Sequence, residues 1–210
     1  MSARLDVTCV TCTCPGREVL LAKCGEYVAR FDPAPAERLV VSGGSLRENM
    51  EFALPMVRTS LVAFIEDDDW YRPDHLGVLE SLMRRAGSGI AGLNPTFYYH
   101  ILRRRHVLLP HAGRASLFAT MARSDSARRR LAACGPGDFV DIGMWAAGPG
   151  ALSPEWTAVG VKHGLTPVVG MGHACAGPGW ADDPGMELLE SVVGPADAGF
   201  YRSLASEWAL

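Results

Sequence analysis

The chain has 210 residues, 48% of them hydrophobic, with a formal net charge of −3 and a sequence pI of about 6.1. That length suits one domain, or one domain with a grafted lobe, and the apolar fraction supports a substantial core. The acidic balance excludes a broadly basic nucleic-acid surface, and no apolar run reaches the roughly eighteen residues of a membrane span. Met1-Ser2-Ala3-Arg4-Leu5-Asp6 lacks the long apolar region of a secretory signal, so the expected compartment is the cytoplasm. Cys9, Cys12, Cys14, Cys24, Cys134 and Cys175 are expected as free thiols. The first three imitate zinc-ligand spacing, but they fall in or just after an apolar strand and no matching second pair occurs.

Leu5 to Cys12 reads as a first strand, followed by a turn at Pro15-Gly16. Glu18 to Arg30 reads as a helix, with Leu20, Cys24, Tyr27, Val28 and Phe31 near helical spacing. Asp32-Pro33-Ala34-Pro35 breaks it, and Arg38 to Val41 is a short strand running into Ser42-Gly43-Gly44. Ser45 and Glu48 form the S-x-x-E capping pattern of a helix whose apolar side is Leu46, Met50, Ala53, Leu54 and Val57. Pro55 kinks or ends that helix. Leu61 to Ile65 is a wholly apolar strand. Pro73-Asp74 opens a helix with Leu76, Leu79 and Met83 on one face, stopped by Gly87. Ile90 to Leu93 and Thr96 to Leu102 read as strands. This alternation defines an α/β class with a largely parallel sheet and helices on both faces.

The second half is less regular. Ser116 to Ala122 reads as extended and Asp125 to Cys134 as helical, with Gly135-Pro136-Gly137 forming a loop before Asp138-Phe139-Val140-Asp141. Thr166 to Val169 is predicted as a short strand leading into Gly170-Met171-Gly172-His173, and Gly177-Pro178-Gly179 as a mobile loop. Met186 to Val193 and Ala198 to Trp208 are predicted helices.

Glu66, Asp67, Asp68 and Asp69 follow directly on the apolar strand. Four adjacent carboxylates repel one another, so packing gives no reason to place them there. A hard divalent cation would supply the missing positive charge. Ligands of open α/β sheets bind beyond the carboxyl ends of the strands. The run therefore points to a metal-assisted site for a phosphorylated ligand, against the plain alternative of a solvated acidic turn. Alternation along an extended segment would send Asp67 and Asp69 one way and Glu66 and Asp68 the other.

Other residues join this list. His173, set among glycines after an apolar strand, is a candidate metal ligand or an ordinary loop histidine. Asp138 and Asp141 are candidate general bases, with a helix N-cap as the structural alternative. Arg17 opens the first helix, where exposed amides and a guanidinium suit a phosphate or a nucleobase edge. Trp180, Asp182 and Asp183 have the composition of a closing loop. Arg103-Arg104-Arg105-His106 and Arg128-Arg129-Arg130 read as solvated faces or as anion contacts.

Two segments resemble the family-2 glycosyltransferases of the GT-A fold: Thr13-Cys14-Pro15-Gly16-Arg17, and Phe64 through the acids to Trp70-Tyr71-Arg72-Pro73-Asp74-His75-Leu76. The resemblance is good over Leu5 to Leu102 and weaker beyond. It implies one GT-A-like domain, a Rossmann-like, mixed, mostly parallel sheet flanked by helices. Residues 1–94 would be the nucleotide-sugar half, and 95–210 the acceptor half with a C-terminal lid and helices. It implies an inverting transfer from a nucleotide-sugar, a UDP-sugar by default, with Mn²⁺ or Mg²⁺. Thr13, Arg17, Asp67 and Asp68 would hold the donor, and Asp68, Asp69 and His173 the metal. Asp138, with Asp141 next in line, would deprotonate the acceptor hydroxyl. One departure is Val41-Ser42-Gly43-Gly44-Ser45, where the family usually carries acids that hold base and ribose.

The acceptor is left open among a small molecule, a protein, a glycan and a hydroxymethylated base in phage-type DNA. The rival readings are a non-catalytic nucleotide-sugar or metal-binding module and a nucleotidyltransferase of the same fold. The turn Cys14-Pro15-Gly16-Arg17 lacks the Gly-rich loop and following lysine expected of the latter.

Overall fold

A computed structural model describes residues 4–135, 137–164, 171–175 and 177–209. Strand β1 (Arg4–Thr13) buries every residue from Val7 to Thr11, as a strand covered on both faces must. Helix α1 (Glu18–Ala29) buries Leu20, Cys24, Tyr27 and Val28. Strand β2 (Ala34–Ser42) is longer than predicted and takes in Pro35. It forms the edge of its sheet, where a residue without an N–H is tolerated. Helix α2 (Leu46–Ala53) has the full capping box: Glu48 N–H donates to Ser45 Oγ at 3.3 Å and Ser45 N–H to Glu48 Oε2 at 2.7 Å. Pro55 falls in the 3-10 turn Leu54–Met56 that ends it.

Strands β3 (Leu61–Phe64) and β4 (Trp70–Tyr71) flank the acidic run. Helix α3 (His75–Ala86) ends on Gly87, whose φ of 60° is the left-handed cap glycine adopts readily. There follow β5 (Ile90–Leu93), β6 (Thr96–His100), β7 (Arg105–Leu109), β8 (Thr120–Arg123) and α4 (Ser124–Ala133). The chain continues through α5 (Val140–Ala146), β9 (Ala151–Ser153), β10 (Ala158–Lys162), β11 (Ala181–Asp182), α6 (Glu187–Val193) and α7 (Pro195–Trp208). The strand predicted at Thr166 to Val169 lies outside the described residues.

The chain divides into two compact units: Met1–Thr96 with Pro110–Ala158, and Phe97–Leu109 with Val159–Leu210. The first holds a six-stranded sheet in the order β2-β1-β3-β8-β5-β9. β1 pairs in parallel with β2 and β3, and β5 with β9. β8 runs antiparallel between β3 and β5. The extended and helical signals at Ser116 to Cys134 become β8 and α4, so the sheet is mixed where strand-helix alternation suggests parallel pairing. On one face Val10, Val41, Val62, Phe64 and Ile90 pack against Met50 and Ala53 of α2, Leu131 of α4, and Met144 and Trp145 of α5. Val62 and Phe64 share that face because strand side chains repeat every second residue. α4 and α5 meet where Gly143 faces Cys134; a Cβ there would collide with the thiol.

In the second unit the strand order is β11-β7-β6-β10. Asp183 ties it to the helices: it accepts from the N–H groups of Leu188 and Leu189 at 3.3 Å each and from the Tyr99 hydroxyl at 2.9 Å. Among the described residues, no helix is long and apolar enough to cross a membrane.

Candidate functional site

Parallel pairing of β1 and β3 sets Val10 beside Phe64, and Ile65 N–H extends it by donating to Val10 C=O at 2.9 Å. The segments leaving the two strands, Thr13–Arg17 and Glu66–Asp69, are thereby brought together at the carboxyl edge of the sheet. Asp67, Asp68 and Asp69 are only 2%, 4% and 0% exposed. A solvated acidic turn is excluded. Thr13 Oγ1 donates to Asp67 Oδ2 at 2.5 Å. Arg17 Nη2 reaches Asp67 Oδ1 at 3.1 Å and also pairs with Asp68 Oδ2. Glu66 N–H donates to the Tyr71 hydroxyl at 2.8 Å.

The expected side-to-side alternation does not occur. Asp67 and Asp68 occupy a turn rather than an extended segment, and oxygens of Glu66, Asp68 and Asp69 lie within 4.8 Å of one another. Asp67 is directed to Thr13 and Arg17. Among the described residues, no other group of three or more Asp, Glu, His or Cys side chains converges this closely. The donors are all carboxylate oxygens, the preference of a hard divalent cation, and the set fits such an ion. Glu66 is the member that sequence reasoning did not place in the metal set. Its signal was its position in the run, masked by the assumption of an extended backbone.

Electrostatics follow from burial. The Asp67 carboxyl is pushed up to about 6 by desolvation first and by Asp68 second, with Arg17 and Thr13 pulling against them. Burial would lower the Arg17 pKa, but Asp68 and Asp67 outweigh it and hold the guanidinium firmly charged. The Tyr71 phenol is raised well above its usual value by burial, then by Asp69 and Glu66. It stays protonated and available to the turn.

His75 was not singled out from the sequence. It is fully buried, with Nδ1 2.7 Å from Thr157 Oγ1 and its ring against Phe31 and Tyr71, at centroid distances of 6.1 and 5.2 Å. Its Nε2 meets no hydrogen-bond partner among the described residues, and burial lowers its pKa to about 3. A neutral imidazole thus forms part of the aromatic packing that fixes Tyr71, and through it Glu66.

The remaining predicted residues are placed as follows. Asp138 is exposed and accepts from Gly135 N–H at 2.7 Å. It is not the cap of α5, since Phe139 holds the N-cap position. Asp141, in the first turn of α5, pairs with Arg114 at 2.5 Å. Arg47 of α2 donates to Cys134 C=O at 2.8 Å and Gly135 C=O at 2.5 Å, tethering the Asp138 loop to the helix that follows β2. His173 lies in the second unit, where its Nδ1 faces the N–H groups of His163 and Gly164 at 3.4 Å each.

Much of the arginine clusters is structural. Arg128 donates to Leu54 and Val57 carbonyls, and Arg130 to those of Met144, Gly148 and Pro149. Arg104 and Arg105 donate to Pro184 and Trp180 carbonyls.

No protein-family model and no curated protein sequence matches the chain. Solved structures do. S. aureus TarS 1-349 in complex with UDP-GlcNAc aligns with a TM-score of 0.57 and 9% identity, over 82% of this chain and 61% of that one. The same protein in complex with UDP gives 0.54 and 8%, over 74% and 60%. A further TarS structure gives 0.53 and 8%, over 74% of this chain and 36% of that one. The chain therefore spans roughly a third to three fifths of the length of these neighbours. At such identity the likeness defines the fold: a GT-A, mixed α/β architecture with helices flanking its sheets.

Proposed function

We propose that this protein is a metal-dependent, inverting glycosyltransferase that moves a sugar from a nucleotide-sugar to an acceptor hydroxyl. The observation that carries the reading is the buried acid turn, with three converging carboxylates and a paired arginine at the carboxyl end of β3. Burying that much negative charge is costly without a cationic partner. The neighbours of the same fold in complex with UDP-GlcNAc and UDP favour a UDP-sugar as donor. Mn²⁺ or Mg²⁺ suits an all-carboxylate set.

In this reading Glu66, Asp68 and Asp69 hold the cation, which when bound offsets the charge on a departing diphosphate. Thr13, Arg17 and Asp67 orient the nucleotide, the guanidinium toward phosphate and the Asp67 carboxyl toward the ribose. Asp138 takes the proton of the acceptor hydroxyl as that oxygen attacks the anomeric carbon. Its exposure and single backbone bond support it over Asp141, whose carboxylate is engaged by Arg114. The metal role of His173 is carried by the family resemblance alone, and Mn²⁺ titration of His173→Ala checks it.

The test is titration with UDP in the presence and absence of Mn²⁺, followed by UDP-release assays with UDP-sugars. An acceptor panel would span glycans, proteins, small alcohols and hydroxymethylated DNA. Metal-dependent UDP binding with acceptor-stimulated release is expected. Binding without turnover on any acceptor would favour a non-catalytic module, and no UDP binding would end the donor reading.

A further inference from the structure

The acid turn contains a conflict. Asp68 belongs to two groupings: its Oδ2 is ion-paired with Arg17 Nη2, and it is one of the three carboxylates that converge. The same Arg17 nitrogen also reaches Asp67. A guanidinium and a divalent ion sharing one carboxylate repel each other, and more strongly in a buried setting than in water. The Arg17 side chain is 19% exposed and the Asp67 and Asp68 side chains 1% and 5%, so this is such a setting.

Arg17 stands at the N-cap position of α1, directly after Gly16, whose φ of 86° marks a turn rather than a helix. Its alternative partner is at hand in the donor-site reading, because a diphosphate offers a guanidinium the same bidentate oxygen geometry as a carboxylate.

We infer that Arg17 is a built-in counter-cation of the acid turn, which a divalent ion displaces from Asp68 and which then takes the donor diphosphate, so that metal and nucleotide bind as one coupled event. This rests on the donor-site reading. Without nucleotide, the displaced guanidinium gives up its pairing with Asp68 and keeps only the weaker contact to Asp67, so the metal binds weakly. With nucleotide present, both cations have anionic partners. The coupling is reciprocal: each ligand raises the affinity of the other by the same factor.

The experiment is calorimetric titration of Mn²⁺ into the parent protein and Arg17→Gln without nucleotide, then of UDP at saturating Mn²⁺. Arg17→Gln should bind Mn²⁺ alone about tenfold more tightly and UDP about tenfold more weakly. Mn²⁺ affinity in Arg17→Gln equal to or below that of the parent overturns the inference while leaving the donor site standing. Failure of the parent to bind either ligand overturns the donor-site reading and the inference with it. If Arg17→Gln does not fold, the parent protein alone decides. Added Mg²⁺ should shift the Arg17 Nε–H nuclear magnetic resonance signal, assigned by its loss in Arg17→Lys. A signal that stays put while the acid-turn amides titrate overturns the inference.

Discussion

The two sets of acids in the first unit are held in opposite ways. In the turn Glu66–Asp69 the three aspartates are buried and Glu66 is half-buried, and the turn is bonded from several sides, by Thr13, Arg17 and Tyr71. Among the described residues, the loop carrying Asp138 is exposed and tied down by Arg47 on its carbonyls and by a single carboxylate bond to Gly135 N–H. The contrast matches two tasks. A charged diphosphate and a cation need a site whose charges are already in place, since building it at the moment of binding would cost reorganisation. A base that meets an incoming acceptor needs access. Rigidity on the donor side and openness on the acceptor side are what the proposed transfer would require.

The contrast breaks most visibly if the acid turn is dispensable. Asp68→Ala and Asp69→Ala should each abolish metal-dependent UDP binding, a loss of at least about a hundredfold by calorimetry. Removing a carboxylate also leaves Arg17 less well compensated in the Asp68 variant, so that variant should lose stability as well. Parent-like UDP affinity with Mn²⁺ in both variants would show that the turn is structural.

Asp138→Asn sharpens the other side. It should leave UDP and Mn²⁺ affinity unchanged while lowering transfer by about 10²–10⁴-fold, the usual contribution of a general base. Turnover near the parent's would move the base elsewhere, and Asp141→Asn is the next substitution to assay. A fall in both binding and turnover would mean that the two regions are not separable.

The same contrast explains what could be read from the chain. The acid turn was legible because its information is local: an apolar strand, a charge excess and a helix start are each contiguous, and parallel pairing in the first half follows from alternation. Glu66 lies beside Asp68 and Asp69 because a turn replaced the extended backbone assumed for the run. His75 was passed over because its role depends on Phe31 and Thr157, remote in sequence. The second half was harder for a physical reason. β8 inserts antiparallel between strands that precede it in the chain, and α5 requires Gly143 because Cys134 leaves no room for a Cβ there. Neither arrangement has a signal within a short window. Asp138 was visible as a residue, but its loop is positioned by Arg47, some ninety residues away in the chain.

Support beneath the acid turn can be tested through pH. Folding holds the His75 pKa near 3, whereas the unfolded chain protonates it near its ordinary value. The unfolded state therefore binds the extra proton between those values. The stability that His75 confers is intact above about pH 6.5 and declines as pH falls, by about 2 kcal/mol at pH 5. Urea unfolding of the parent at pH 7.5 and 5 should show that loss, and His75→Gln should lack this part of it. An identical pH dependence in both proteins would mean that the imidazole is already solvated in the folded state.

The smallest effect concerns the tether of the acceptor loop. Arg47 of α2 donates to two loop carbonyls and pairs with Glu51 at 2.9 Å. Arg47→Met keeps the side-chain length and the helix propensity but loses both bonds to the loop. Donor affinity should be unchanged, because among the described residues the Arg47 bonds go to Glu51, Cys134 and Gly135 and not to the acid turn. Transfer should fall by about tenfold, since a base displaced by a fraction of an ångström loses reach to the hydroxyl it deprotonates. That outcome would place Asp138 in the reaction through its loop. An unchanged rate would mean that the loop finds its working position on acceptor binding, and the contrast between a preset donor side and an adaptable acceptor side would then be sharper still.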